Sequence, residues 1–556
     1  MKNILFFGIL SLSIISCNTK EENNNWKSSV IIGTATPMYL ENAEDTLLLS
    51  DYFLEVSEID SVENNNFLKF ELQKENNLLK IQTSDSTPYV SNIRIWTQGV
   101  ANDIPIFKSE KQTVAITIPD NEKKYSDLKI KGEFNSWQPA EMKYSDGNWK
   151  FEATVSGDDY QYIIINNGKE MPDPANSKTT SNGMGGTNSL LSIPTNEAEL
   201  AVLETKKVTD DGFTFSSTKP LSNVLVYLDN VLLSSENVKS EGNSYSVKIP
   251  KTGNKRNYIR VYGANPFGRT NDLLIPLEDG KVITDASKLT RTDFHSQIMY
   301  FLMVDRFRDG DPENTKKVAN DSILPKANYY GGDLQGVLDK INEGYFTDLG
   351  INTIWLSPIT QNPEGAYGLW PDPLTKFSGY HGYWPTSSSK IDYRFGDEAL
   401  FKKLIAAAHE KGLNVILDYV ANHVHQEHPL YKEHPDWATE LYLPDGTLNT
   451  ERWDDHRLTT WFDTFMPTLD FSKPEVVDKM TDSAAFWVTN YDLDGFRHDA
   501  TKHIQLEFWR TLTQKLKERT DRPIFQIGET YGSPELIRSY INTGMLDAQF
   551  DFNLYD

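Results

Sequence analysis

Phe401-Lys-Lys-Leu404-Ile405-Ala-Ala-Ala408-His-Glu-Lys-Gly412-Leu-Asn-Val415-Ile416-Leu417-Asp418 decides the fold. Phe401, Leu404, Ile405 and Ala408 stand at i, i+3, i+4 and i+7, the spacing of one helical face, and Gly412 is placed to end that helix. Val415-Ile416-Leu417 is an apolar, strand-like run closed by Asp418. Outward from this stretch the alternation recurs. Further runs stand at Ile298-Met299-Tyr300-Phe301-Leu302, Thr353-Ile354-Trp355-Leu356, Leu493-Asp494-Gly495-Phe496-Arg497 and Ile524-Phe525-Gln526-Ile527. Amphipathic helical stretches separate them, and Ser533-Pro534 can open another helix as N-cap and first helical residue. Alternating strand and helix predicts a parallel sheet from about residue 289 onward, as an open sheet or a barrel. All ten histidines lie in this half, at or after His295.

Chemistry-bearing residues follow the apolar runs. Asp418, Asn422 and His423 come after one, Arg497, Asp499, Lys502 and His503 after the next, and Glu529 after another. In a (β/α) barrel such positions fall at the C-terminal face, where catalysis takes place. Converging carboxylates flanked by His and Arg suit acid/base or nucleophilic chemistry. Arg497 shares a strand face with Asp499, two residues on, and can hold that carboxylate ionised and oriented. His498 alternates to the opposite face and reads as structural.

Asp418-Tyr-Val-Ala-Asn422-His423, Gly495-Phe-Arg497-His-Asp499-Ala-Thr-Lys502-His503 and Gly528-Glu529-Thr530 resemble three signatures of the α-amylase family, in that family's order. Gly379-Tyr380-His381-Gly382-Tyr383-Trp384 and Met466-Pro467-Thr468-Leu469-Asp470 resemble two more, so the likeness covers about 289–556. It implies a (β/α)8 TIM-barrel catalytic domain and a retaining glycoside hydrolase. By this resemblance Asp499 attacks the anomeric carbon and forms a glycosyl-enzyme, while Glu529 is general acid and then base. The two carboxyl groups should then lie ~5–5.5 Å apart, and burial with a neighbouring carboxylate must keep Glu529 protonated near neutral pH. The same resemblance assigns His423, Lys502 and His503 to substrate binding and Tyr383 to a stacking platform. Asp418 is expected to support Arg497 or other groups of the site rather than to do chemistry. In this family context His425, His428 and His434 are expected as solvated loop residues.

Two features depart from the family pattern. Its third carboxylate, in Asn-His-Asp, is absent, and strand counting reaches only a sixth strand, at Phe550-Asp551-Phe552. The barrel is therefore expected to be incomplete at the C-terminus of this chain. Thr468 also stands where many α-amylases place an interdomain calcium ligand, and the Met-Pro-x-Leu form resembles the neopullulanase/cyclomaltodextrinase branch. That branch implies a different, structural Ca²⁺, at Asp309, Asp311 and Asn314 joined by Gly331 and Asp333. These are oxygen donors of the kind a hard cation prefers, although Thr315 replaces a further expected Asp.

Upstream, residues 26–288 read as all-β. Short alternating runs such as Leu78-Leu79-Lys80-Ile81-Gln82 and Val224-Leu225-Val226-Tyr227-Leu228 are punctuated by Asn, Asp, Gly and Pro. β-Sandwich modules are expected at 26–118, 119–195 and 196–288 (Ig-like), divided at Pro119-Asp120-Asn121-Glu122 and Pro194-Thr195-Asn196-Glu197. In the middle one, Gly132-Glu133-Phe134-Asn135-Ser136-Trp137 followed by Asp146-Gly147-Asn148-Trp149 resembles the early-set, starch-associated sandwich found ahead of α-glucan enzymes. Trp149 is expected in its core. Trp137 can serve either the core or a sugar ring.

Residues 1–17 read as a signal peptide, with Lys2 before the apolar stretch Ile4 to Ile15. Ile14-Ile15-Ser16-Cys17 resembles a bacterial lipobox, and Cys17 is the only cysteine, so lipidation there is expected. Residues 18–25 form a polar tether, in which Lys20-Glu21-Glu22 is similar to the surface-export signal of Bacteroidetes lipoproteins. One cysteine excludes an intramolecular disulfide and a cysteine-cluster zinc site. The 556 residues carry 55 Lys+Arg against 79 Asp+Glu, a net charge of −24, which argues against nucleic acid as a partner. The expectation is an outer-membrane, surface-exposed enzyme anchored by lipid, with a starch-utilisation complex as its setting. It cleaves starch, pullulan, cyclodextrins or malto-oligosaccharides. An α-glucan transglycosylase, and a non-catalytic starch-binding lipoprotein, remain open at this point.

Overall fold

The structure is a computed structural model that describes residues 26–555 apart from 85, 183, 184 and 196. The signal segment, Cys17 and the tether lie outside the described residues. Three pairs of β-sheets come first. In the first pair a four-stranded and a three-stranded sheet enclose Leu47, Leu79, Ile81, Ile93, Ile95, Ile104 and Ile106. Leu78–Gln82 is a strand there, with alternate residues Leu79 and Ile81 turned to the core.

The boundary expected near 118 is displaced. Gln112–Pro119 pairs along its whole length with Asn148–Val155. Its Ile116 and Ile118 share a core with Leu128, Ile130, Tyr162 and Ile164, so the strand belongs to the second sandwich. Pro119-Asp120-Asn121-Glu122 is a turn inside that module. The Asp120 carboxylate accepts from the backbone N–H groups of Lys124 and Tyr125, and turn chemistry marks hairpins as readily as linkers. Trp149 packs half-buried against this core and donates to Asp120 Oδ2 at 3.1 Å. Trp137 joins none of the apolar clusters among the described residues. The second module's last strand ends at Ser192 and the third begins at Leu203, with Phe213, Phe215, Val226, Leu228, Ile259 and Val261 at its centre.

The remaining half is a sheet of six parallel strands in chain order. They are β1 (Met299–Leu302), β2 (Thr353–Leu356), β3 (Asn414–Tyr419), β4 (Gly495–His498), β5 (Phe525–Gly528) and β6 (Ala548–Gln549). Helices α1 (Leu334–Glu343), α2 (Glu398–Glu410), α3 (Pro474–Asn490) and α4 (Leu506–Arg519) connect them in turn. Asp397 caps α2 by accepting from Leu400 N at 2.8 Å. Phe401, Leu404, Ile405 and Ala408 are buried, and Gly412 takes φ +74° just beyond the helix end. A short helix after β5, α5 (Pro534–Arg538), starts as its sequence foretells, with Ser533 Oγ accepting from Leu536 N. The sixth strand is not at Phe550–Phe552. Asp551 accepts from Leu554 N in the manner of an N-cap, and Phe552–Tyr555 turns into a helix. Among the described residues no helix is long and apolar enough to cross a membrane.

Candidate active site

Strand pleating sorts the residues of β4. Phe496 and His498 share one face. Phe496 joins the apolar core, and the His498 ring lies 4.8 Å from Trp509 and bonds Gln526 Oε1 at 3.0 Å, as expected of a structural histidine. Arg497 and Asp499 point the other way. Arg497 Nη1 donates to Asp499 Oδ1 at 2.9 Å and to Asp418 Oδ1 at 2.7 Å, while Nη2 meets Glu529 Oε2 at 2.7 Å. Three carboxylates from the ends of β3, β4 and β5 thus converge on one guanidinium.

The backbone places these groups. Asp499 N bonds Tyr419 O, and Glu529 N bonds His498 O and Thr501 Oγ1. A Cβ on Gly528 would stand 2.7 Å from that same Thr501 oxygen, which explains the glycine before Glu529. Ala500 takes φ +51°, uncommon for a residue with a Cβ, and directs its N–H to Glu529 Oε2 at 3.3 Å.

The carboxylates differ in environment. Asp418 is buried, and its Oδ2 accepts from Tyr383 Oη at 2.8 Å and Trp355 Nε1 at 3.1 Å. Burial pushes its pKa up to about 7, opposed by Arg497. With both oxygens bonded it is a brace for Arg497, as the sequence suggests. Glu529 is raised first by burial and also by the Asp499 charge, and Arg497 offsets this only in part. The Asp499 side chain is 12% exposed, whereas that of Glu529 is 36% exposed.

The expected substrate residues are placed differently from one another. Tyr383 Oη is engaged on Asp418, and its ring lies nearly parallel to that of His381. His423 is buried with Nε2 on the Tyr383 carbonyl at 3.0 Å. Lys502 and His503 do not touch the carboxylates. Lys502 Nζ lies 3.4 Å from Asp454 Oδ1, and His503 Nδ1 donates to Arg457 O at 2.7 Å. Burial lowers both histidines, His503 to about 3, so both are neutral hydrogen-bonding groups.

The solvated reading of His425 and His428 is wrong. Both are buried, His425 against Tyr367 and Phe465, His428 Nε2 on Ser388 Oγ at 3.2 Å. Tyr367 and Ser388 reach them from the segment between β2 and β3, and Phe465 from farther along their own segment, a long-range event that local polarity does not reveal. His434 is exposed, and its ring stacks on Trp437. Trp355 is the neighbour of the site that strand reading misses. No local signal aims its N–H at Asp418 or its ring at Arg497, 5.2 Å away.

The 309–315 loop closes on Asp333, which caps α1. Asp333 accepts from Gly310 N, Asp311 N, Gly336 N and Asn314 Nδ2 at 2.7–3.1 Å. Asn314 Oδ1 is buried without a partner, and Thr315 Oγ1 donates to Asp309 Oδ2. Among the described residues no three His, Cys, Asp or Glu side chains are grouped to hold a metal. A cation here would therefore draw on amide and carbonyl oxygens as well.

Residues 301–556 match the family model of the alpha amylase catalytic domain. The chain is also similar to a cyclomaltodextrin glucanotransferase of Geobacillus stearothermophilus, 30% identical over 278 residues, 47% of this chain and 38% of that protein. An intracellular maltogenic amylase of Bacillus subtilis is 30% identical over 253 residues, 43% of this chain and 39% of that protein. The chain spans about two-fifths of the length of these curated relatives. Among solved structures, an Anoxybacillus alpha-amylase is 32% identical over 48% of this chain and 54% of that one, with a TM-score of 0.40. The matched residues 301–556 hold the three carboxylates and follow a β-rich N-terminal region.

Proposed function

We propose that this chain belongs to a retaining α-glucan hydrolase whose alpha-amylase domain is a (β/α)8 barrel, six strands of which stand among the described residues. Asp499 is its nucleophile and Glu529 its acid/base. The observation that carries the reading is the pairing of Asp499 and Glu529 with the two terminal nitrogens of Arg497. Carboxylates so held suit the close spacing of double displacement (~5–5.5 Å) over the wider one (~6.5–9.5 Å) that admits a water between them. Asp499 attacks the anomeric carbon as Glu529 protonates the departing glycosidic oxygen. Glu529, now ionised, takes a proton from water, which attacks the same carbon and frees Asp499. Arg497 orients Asp499, and the net upward shift of Glu529 keeps a proton available to give. A protein that only binds starch needs neither carboxylate on the guanidinium. Transfer to a sugar hydroxyl in place of water is the second reading, favoured by the glucanotransferase relatives. Incubation with starch, pullulan, cyclodextrin and maltoheptaose tests the proposal. Release of α-configured product that vanishes in Asp499→Asn supports the mechanism; a β-configured product, or undiminished Asp499→Asn, rejects it.

A structural Ca²⁺ held by Asp309, Asp311, Asn314, Gly331 and Asp333 is proposed on the strength of the unpartnered Asn314 oxygen. It would tie the 309–315 loop to the start of α1. Chelation should lower the melting temperature of wild type and leave Asp311→Ala unmoved. Lipidation at Cys17, placing the enzyme on the outer-membrane surface beside a starch-utilisation complex, rests on the lipobox pattern. Palmitate should label wild type and not Cys17→Ala.

A further inference from the structure

The second sandwich meets the alpha-amylase domain beside the candidate site, at two segments that flank it. Gln138 Nε2 donates to the backbone carbonyl of Asp454, in the segment between β3 and β4. The same turn brings Glu133 into the field of Glu535, in the α5 helix that follows Glu529. Tyr160 of the same sandwich feels Glu535 and Arg538 of α5 as well. One module therefore bonds the β3–β4 segment through Gln138, and its Glu133 and Tyr160 lie within the field of charges on the helix after Glu529.

The segment held by Gln138 carries an aromatic that the mechanism does not use. Trp453 is 36% exposed, with its ring plane steeply inclined to those of Phe462, 4.7 Å away, and His503, 5.6 Å away. The next residue, Asp454, meets Lys502, and Arg457 donates to the Lys502 carbonyl at 2.5 Å. A partly exposed indole fixed beside two expected substrate residues offers an apolar face to the C–H face of a sugar.

We propose that Trp453 stacks on a glucose unit at an outer subsite of the cleft, and that Gln138 of the second sandwich is a positioning residue that holds its loop. The sandwich then acts as a fixed wall of the cleft and selects for longer glucans. This rests on the α-glucan reading above.

The test compares maltotriose with maltoheptaose on the full chain. Trp453→Ala should raise KM for maltoheptaose about 5–10-fold, the size of one lost stacking contact, with kcat within about twofold. Maltotriose constants should not move. Gln138→Ala should act in the same direction but less. Gln138→Glu, of the same shape without the donor, should match it. The double variant should be no worse than Trp453→Ala alone, because Gln138 acts through the loop. Equal effects on both glucans, no effect on either, or additive losses would overturn the proposal, as would a melting shift without a KM shift. Wild type inactive on both glucans would reject the α-glucan reading itself, and this proposal with it.

Discussion

Glu529 carries the sharpest consequences at the scale of single residues. Its carboxyl is raised by burial and by Asp499, so the charged form is disfavoured in the fold. A carboxyl with a raised folded pKa contributes stability that is present below its unfolded pKa and lost as pH rises through the folded one. Glu529→Gln, which cannot ionise, should therefore gain melting temperature over wild type as pH climbs through that range, read by thermal melts at several pH values. In activity, the alkaline limb of kcat/KM should fall with the loss of the Glu529 proton, above the ordinary glutamate range. Glu529→Gln should lose about 10²–10⁴-fold on a natural glucan, whose leaving oxygen needs a proton. A glycosyl fluoride should spare the first step, so the Asp499 adduct accumulates and shows as added mass, and azide should release it as the α-glycosyl azide. At this scale the sequence discloses identities better than contacts. The alternation of Arg497, His498 and Asp499 is readable from strand period alone. The Trp355 bond to Asp418 needs two strands side by side before it exists.

Single elements can be tested through α2. Leu404 is fully buried among the helix and strand side chains of the core. Leu404→Ala should cost about 2–5 kcal/mol, and Asp397→Ala, which removes the cap, about 0.5–2 kcal/mol, both measured by denaturant titration. The helix is legible because its period, cap and terminal glycine are local. The strand runs are legible because each apolar stretch is short and bounded. What local pattern cannot supply is which turn closes a hairpin and which joins modules. Pro119-Asp120 has the composition of either, and only the pairing of Ile116 and Ile118 with the strand at Asn148–Val155 assigns it. The same limit hid the burial of His425 and His428, whose partners Tyr367 and Ser388 come from the segment before them.

At the scale of the whole molecule, two contacts tie the first sandwich to the far end of the chain. Asp51 of that sandwich is 4% exposed and takes Arg510 Nε of α4 at 2.9 Å, and Thr36 N bonds Thr543 Oγ1 at 2.7 Å. Arg510→Ala would remove the ion-pair partner of Asp51 while leaving Lys517 and Asn542 beside it, and should cost about 1–3 kcal/mol, seen by calorimetry. Asp51→Asn with Arg510→Met should recover much of the loss, because the two charges of the pair leave together.

The Asp51–Arg510 pair also sets a timetable. Its partners lie 459 residues apart, and at ~5–20 residues per second of synthesis the arginine follows the aspartate by roughly 20–90 seconds. The first sandwich must therefore stand alone as a nascent unit, with its docking face wet and accessible to chaperones, long before α4 emerges to cover it.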